Sequence, residues 1–161
     1  MDVRLARVED AGAIRAIYNA EVTGSTVTFD LEPRTHEQQL AWIADHQGAH
    51  PAVVAVEGAT VVGFGSLSPF RDRAAYGTTV EDSLYVEQGR RGAGVGRLLL
   101  GELVRLAGAQ GFHTVIGRAS GDNAASIALH EACDFTLVGV EREVGRKFGR
   151  WIDVAILQRM L

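Results

Sequence analysis

A chain of 161 residues, 47% hydrophobic and 22% charged, has the composition of an ordinary globular protein rather than a disordered or fibrous one, and its length predicts one domain with a proper core. Its net charge of −4 argues against a general nucleic-acid binder, because a phosphate backbone is met by a clear basic excess. Cys133 is the only cysteine, which excludes an intrachain disulfide. The first residues hold no apolar leader, and no run approaches the roughly 20 apolar residues that span a bilayer, so no membrane partner and a cytoplasmic location are expected.

In chain order, "VRLARVED" predicts a first strand, with Glu9 and Asp10 where a helix start favours negative charge. "AGAIRAIYNAEV" follows as a helix with Ile14, Ile17 and Tyr18 at helical spacing, ended by "TGSTVTF". Thr35 and Gln38 form a capping-box pair ahead of a second helix, "HEQQLAWIADH". "PAVVAVEG" and "TVVGFGSLS" read as a hairpin turned at Glu57–Ala59. In the next strand, "TTVEDSLYVE", Val80, Leu84 and Val86 face one way and Glu81, Ser83 and Tyr85 the other.

After a glycine-rich stretch, "VGRLLLGELVRLAGAQ" is a helix closed by Gly111 as its left-handed C′ residue. "FHTVIGRA" is a buried strand, and "NAASIALHEACD" a short helix capped by Asp122 or Asn123. "FTLVGVEREV" and "WIDVAILQRML" are two last strands around the turn "GRKFG". With no repeat or linker, the fold class is α/β (α+β): one mixed sheet flanked by helices in a single domain over residues 1–161.

The stretch "QGRRGAGVGR" sets Gly92, Gly94 and Gly96 at alternate positions before a helix. Bare backbone lets successive N–H groups converge, and the helix dipole adds positive potential, which suits a phosphate group. Arg91 and Arg97 add charge at the rim. The ATP-binding P-loop needs Lys and then Ser or Thr after its last glycine, where this chain has Arg97-Leu98. The dinucleotide fingerprint fails as well, since a count from Gly92 ends on Arg97 and one from Gly94 ends on Leu99.

The spacing that fits is R-x-x-G-x-G, from Arg91 through Gly94 to Gly96. With "STVTFDLEP", "FRDRAAY", "TVEDSLYV", "GDNAASIALHEACDF" and "GRKFGRWIDV" in order along the chain, it resembles the GNAT superfamily of N-acetyltransferases. Within that superfamily it resembles the phosphinothricin and the methionine sulfoximine or methionine sulfone acetyltransferases, and "KFGRWID" looks more like the sulfoximine and sulfone branch. The resemblance implies a mostly antiparallel central sheet, acetyl-CoA as acetyl donor, a small amino-acid-like acceptor, a detoxifying role and a homodimer.

The resemblance also implies residue roles. Arg91, Gly92, Ala93, Gly94, Val95, Gly96 and Arg97 would hold the diphosphate. Leu84, Tyr85 and Val86 would border the pantetheine arm and offer a main-chain N–H to the thioester carbonyl, with Asn123 and Ser126 touching the cofactor from a helix start. Glu81 matches the family's general base, because an ammonium must lose a proton before it attacks. Asp82 lies on the other face of the strand and is not expected to share that work. His130 stands where many members carry a tyrosine near the sulfur, as proton donor to the thiolate. Arg71, Arg73 and Tyr76, with Phe29 as a wall, match the acceptor pocket, where guanidinium forks suit a carboxylate or an oxidised sulfur or phosphorus group.

Read from the residues alone, Asn123 also fits a plain helix cap, His130 a packed core histidine, and Arg71 and Arg73 solvated charge. The chain departs from the phosphinothricin branch at Phe148 and Ile152, which replace histidines, and at Phe70, which replaces a tryptophan. Asp134 replaces a glycine, which predicts strain there if the position has positive φ. His46 and His50 are four apart but separated by Gly48, with no third ligand nearby, so no metal is expected. No activated nucleophile is visible, so transfer is expected to be direct. Acetylation of a protein N-terminus or lysine, and a non-catalytic CoA-binding module, remain the alternative functions.

Overall fold

The two apolar runs that read as a hairpin form the middle of one half of a seven-stranded sheet: β2 (Ala52–Glu57) and β3 (Thr60–Pro69) pair in antiparallel register. In the computed structural model, which describes residues 1–161, β2 is buried along nearly its whole length because both of its faces are covered. Val53 and Ala55 join the core under α3 (Val95–Ala109), and Val54 and Val56 the core under α1 (Ala11–Gly24) and α2 (His36–Asp45). A strand covered on both faces reads as a continuous apolar run, which is why "AVVAV" lacks alternation.

The remaining strands are β1 (Asp2–Leu5), β4 (Thr79–Val86), β5 (Thr114–Ser120), β6 (Thr136–Lys147) and β7 (Arg150–Met160), with α4 (Ala124–Glu131) between β5 and β6. The sheet order is β1-β2-β3-β4-β5-β7-β6, antiparallel throughout except at β4–β5. That parallel pair needs a crossover, and α3 provides it. Its stripe of Val95, Leu99, Leu100, Leu103, Val104 and Ala107 recurs at helical spacing and is buried against the sheet. Three short 3-10 turns, at Val8–Asp10, Ala74–Tyr76 and Gln88–Arg90, add to the elements expected from sequence.

Helix ends follow the expected chemistry. At α2, the Gln38 N–H donates to Thr35 Oγ1 at 3.1 Å and the Thr35 N–H to Gln38 Oε1 at 2.9 Å, completing the capping box. At α3, the Phe112 N–H bonds Ala107 O at 3.1 Å and the Gly111 N–H bonds Gly108 O at 3.0 Å, with Gly111 at φ +85°. This is the Schellman arrangement, with glycine in the left-handed position.

The chain after α4 closes in the same way: Phe135 N–H to His130 O at 3.0 Å, Asp134 N–H to Glu131 O at 3.1 Å, and Asp134 at φ 64°. An aspartate therefore occupies a position that favours glycine, as the sequence departure predicts. Replacing it should relieve Cβ crowding worth about 1–2 kcal/mol, offset in part by the entropy of a glycine in the unfolded chain. Asp134→Gly is therefore expected to raise stability by about 0.5–1 kcal/mol, read as a higher midpoint in urea unfolding at unchanged m-value.

Candidate active site

The site begins with a divergence of two strands. β4 is regularly paired to β3 from Val86 opposite Gly63 to Val80 opposite Pro69. The Glu87 N–H bonds Val62 O on the β3 side, while Thr78 O accepts from His113 N–H on the β5 side. Strand alternation then turns the main-chain groups of Leu84 and Val86 toward β5. β5, however, pairs with β4 only through Thr79, Val80 and Glu81, so those groups face an opening. This is where a main-chain donor to a bound carbonyl is expected from sequence.

A cavity of about 370 Å³ fills the opening. Leu84, Tyr85 and Val86 form one wall, Asn123 and Ser126 another, and Arg91, Gly92, Gly94, Val95, Gly96 and Arg97 close the end at the start of α3. Of the residues assigned to the cofactor from sequence, only Ala93 is absent from the walls. Gly92 and Gly94 have φ of 78° and 83°, which accounts for two of the glycines. Gly96 serves differently: a Cβ there would lie 2.9 Å from Leu129 Cδ2, so its bareness lets α3 approach α4. Asn123 caps α4, its Oδ1 accepting the Ser126 N–H at 3.1 Å.

The two arginines of the loop differ. Arg91 is bound to the carboxylate of Glu21, which is buried and itself lines the cavity. Arg97 lines the same end without an ion pair in the fold. Glu21 joins α1 to the glycine loop across 70 residues of sequence, and nothing in the sequence pattern marks that contact.

Glu81 is half-buried on the face of β4 opposite Val80 and Leu84. Burial pushes its carboxyl above the ordinary range, with Asp82 adding to the rise and Arg118 and Arg71 opposing it. Arg118, the stronger of those two cations, belongs to no motif of the sequence. It projects from β5 and pairs with Glu141 at 2.7 Å.

His130 and Asp82 form a contact that the sequence reading does not contain. Asp82 does lie on the other face of β4 from Glu81, but it is buried there and meets His130, its Oδ1 3.1 Å from Nε2. His130 Nδ1 lies 2.8 Å from Ser126 O, and the ring stands edge-on to Phe135 at 5.0 Å. Burial draws the imidazole down, but the Asp82 carboxylate and the Ser126 carbonyl outweigh it and raise the proton affinity above the ordinary histidine value. The sequence carried a clue, since a carboxylate between Val80 and Leu84 on a core face must have a partner.

Both residues line a narrower extension of about 50 Å³, which shares Leu84, Tyr85, Asn123 and Ser126 with the main cavity. Gly117 on β5 makes room for the pair, because a Cβ there would lie 2.6 Å from the His130 ring and 3.2 Å from Asp82 Oδ2.

The acceptor residues expected from sequence lie outside these cavity walls. Arg71 Nη1 donates to the Tyr76 hydroxyl at 3.3 Å, and the guanidinium sits 4.7 Å from the Phe70 ring centre, so "FRDRAAY" folds into one exposed cluster. Arg73 is exposed beside it. Phe29 is 43% exposed, with its ring against the bare backbone of Gly145 on β6. The neighbouring Thr28 carbonyl accepts from the buried Lys147 ammonium at 2.9 Å, which ties the Phe29 loop to the end of β6. His46 is engaged at both ring nitrogens, with Trp42 O at 2.7 Å and Ser68 Oγ at 3.1 Å.

A glycine-lined helix start, an opened parallel strand pair and a carboxylate on the splayed strand thus occur together in this fold. The model of the "Acetyltransferase (GNAT) family" matches residues 14–135. The chain belongs to the GNAT acetyltransferase family. It is 37% identical to a phosphinothricin N-acetyltransferase of Streptomyces coelicolor over 100% of this chain and 96% of that protein. It is also 37% identical to an L-methionine sulfoximine/L-methionine sulfone acetyltransferase of Pseudomonas paraeruginosa, over 97% and 92%. The crystal structure of a GNAT superfamily phosphinothricin acetyltransferase from Sinorhizobium meliloti in complex with AcCoA superposes with a TM-score of 0.96 at 37% identity, covering 99% of this chain and 88% of that one.

As a GNAT enzyme, the chain is an acetyl-CoA-dependent N-acetyltransferase. The site suits that donor: left-handed glycines bare N–H groups at a helix start, Arg97 supplies a free cation, and an elongated gap leads past main-chain donors to Asp82 and His130. Gly117→Ala tests the close packing at the inner end. The added methyl is expected to displace the His130 ring and to cost about 1–3 kcal/mol of stability, measured by urea unfolding beside the wild type.

Proposed function

We propose that the enzyme acetylates the α-amine of a small amino-acid-like acceptor such as methionine sulfoximine, methionine sulfone or phosphinothricin, with Glu81 as general base. The reading is carried by Glu81 itself, an ionisable group raised by burial on the strand that borders the donor cavity, with Arg118 and Arg71 in electrostatic reach. A base of raised pKa takes a proton from an ammonium more effectively than an ordinary carboxylate does. The two arginines also make the neighbourhood attractive to an acceptor bearing a carboxylate or an oxidised sulfur or phosphorus group. Arg71, Arg73 and Tyr76 would bind that group, and Phe29 would wall the pocket.

Acetyl-CoA supplies an activated acyl thioester; everything else falls to the protein. Gly92 to Gly96 with Arg97 would hold the diphosphate, and Leu84 or Val86 N–H would polarise the thioester carbonyl from the gap between β4 and β5. Asn123 and Ser126 would contact the cofactor from the start of α4. His130 would supply a proton to the departing sulfur. The ammonium loses two protons in becoming an amide, of which one ends on sulfur and the other reaches solvent through Glu81.

Further parts of the proposal are a homodimer, a cytoplasmic location and a detoxifying role, for which likeness to the named acetyltransferases is the support. The dimer is supported further by β6, an edge strand that exposes Leu137, Val138, Val140 and Val144. A protein N-terminus or lysine as acceptor is the competing reading, and the arginine cluster favours the small anion over it.

The deciding assay is thiol release with methionine sulfoximine, methionine sulfone, phosphinothricin and a peptide panel. Turnover confined to the amino-acid analogues is expected, and turnover confined to peptides would overturn the acceptor class. Glu81→Gln should lower kcat about 100- to 10,000-fold while leaving acetyl-CoA affinity in place. Because the base works ionised and its pKa is raised, activity should rise with pH through a limb above the ordinary carboxylate value of about 4.3. Arg118→Gln removes a cation that favours the ionised form, so that limb should move to still higher pH. A limb that stays in place would show that another group sets it.

A further inference from the structure

Glu21 stands against the charge logic of the donor cavity. A pocket that receives a diphosphate should present cations and bare amides, yet one of its walls holds a carboxylate. The side chain of Glu21 is 3% exposed and projects from the buried face of α1. Its Oε2 accepts from the Ser25 hydroxyl at 2.5 Å, and its Oε1 accepts from Arg91 Nη2. Arg91 is also drawn to the end of β4, where its Nε–H donates to Val86 O at 3.4 Å. The guanidinium therefore bridges α1 and β4 while remaining half exposed at the cavity. Arg90 is taken as well, by Glu57 at 2.6 Å. Of the three arginines around the glycine turn, Arg97 alone carries an unopposed charge.

We infer that Glu21 sets how tightly the site holds its donor: it neutralises Arg91 and fixes the guanidinium between α1 and β4, so that the diphosphate is left to the amides of Gly92 to Gly96 and to Arg97. The inference rests on the reading that this turn receives the diphosphate. Acetyl-CoA and the CoA product carry the same diphosphate, so one more cation there would tighten both alike. That would add nothing to the rate of chemistry and would slow the departure of the product. Burial makes the arrangement strict, because a carboxylate shut away from water needs its partner. If Arg91 left for the diphosphate, Glu21 would keep only the Ser25 hydroxyl, with the buried Lys147 ammonium in electrostatic reach. The sequence reading gives Arg91 to the diphosphate, and the fold gives it to Glu21.

A double-mutant cycle, read by calorimetric titration with CoA and with acetyl-CoA, tests this without any acceptor. Glu21→Gln keeps the shape of the side chain and frees the Arg91 charge, so both ligands should bind about 3- to 10-fold tighter at low salt. The gain should fade in about 1 M salt, where the screening length falls to about 3 Å. Arg91→Gln strands the carboxylate in the cavity wall and should weaken both ligands about 10-fold or more. Removing both charges together should return affinity to within about threefold of the wild type. An Arg91 that grips the diphosphate itself would leave the double variant as weak as Arg91→Gln, and that result overturns the inference. So does Glu21→Gln binding that is unchanged or weaker, and this sign decides alone should Arg91→Gln fail to fold. Arg97→Gln separates the role of Glu21 from the placement of the donor, since it should weaken both ligands about 10-fold in every background. If it has no effect, the diphosphate lies elsewhere and the placement falls together with the inference. If it weakens binding while the Glu21 and Arg91 variants fail to compensate, only the role of Glu21 falls.

Discussion

The arrangement depends on β4 and β5 staying together for three residues and then parting. A sheet that stayed closed would satisfy every main-chain group and leave no cavity, whereas a gap with unfilled donors is stable only where water or a ligand reaches it. The crossover by α3 sets the glycine turn at one end of the gap, and the packing of α4 sets Asn123 and Ser126 along its side. The cavity thus follows from strand geometry, with the loop chemistry added at its mouth.

β4 then exploits the period of two. Val80, Asp82, Leu84 and Val86 look toward the α3 side, and Glu81, Ser83 and Tyr85 toward the α1 side. Two carboxylates adjacent in sequence end in different surroundings. One is half-buried without an ion pair and is raised in proton affinity, while the other is fully buried and bound to an imidazole. Different surroundings give like groups different roles.

Legibility in the sequence follows the range of the interaction. The helices, the β2–β3 hairpin and the Thr35–Gln38 capping box rest on contacts a few residues apart, and periodicity or a cap motif announces each. Asp134 could be read because a single backbone angle was at issue. The His130–Asp82 contact spans 48 residues and the Arg91–Glu21 contact 70, so no local pattern reports them. The 3-10 turns are too short for periodicity to register. Arg118 has no local signal because its significance comes from strand order, which sets β5 beside β4.

One small detail bears on how the cavity wall can give. Where α3 begins, a Cβ on Gly96 would lie 2.9 Å from Leu129 Cδ2 of α4, so the two helices meet there through the flexible end of one leucine. A side chain introduced there would first turn that leucine, which itself lines the donor cavity. The cavity wall between the two helices therefore yields by one rotamer before any helix has to move.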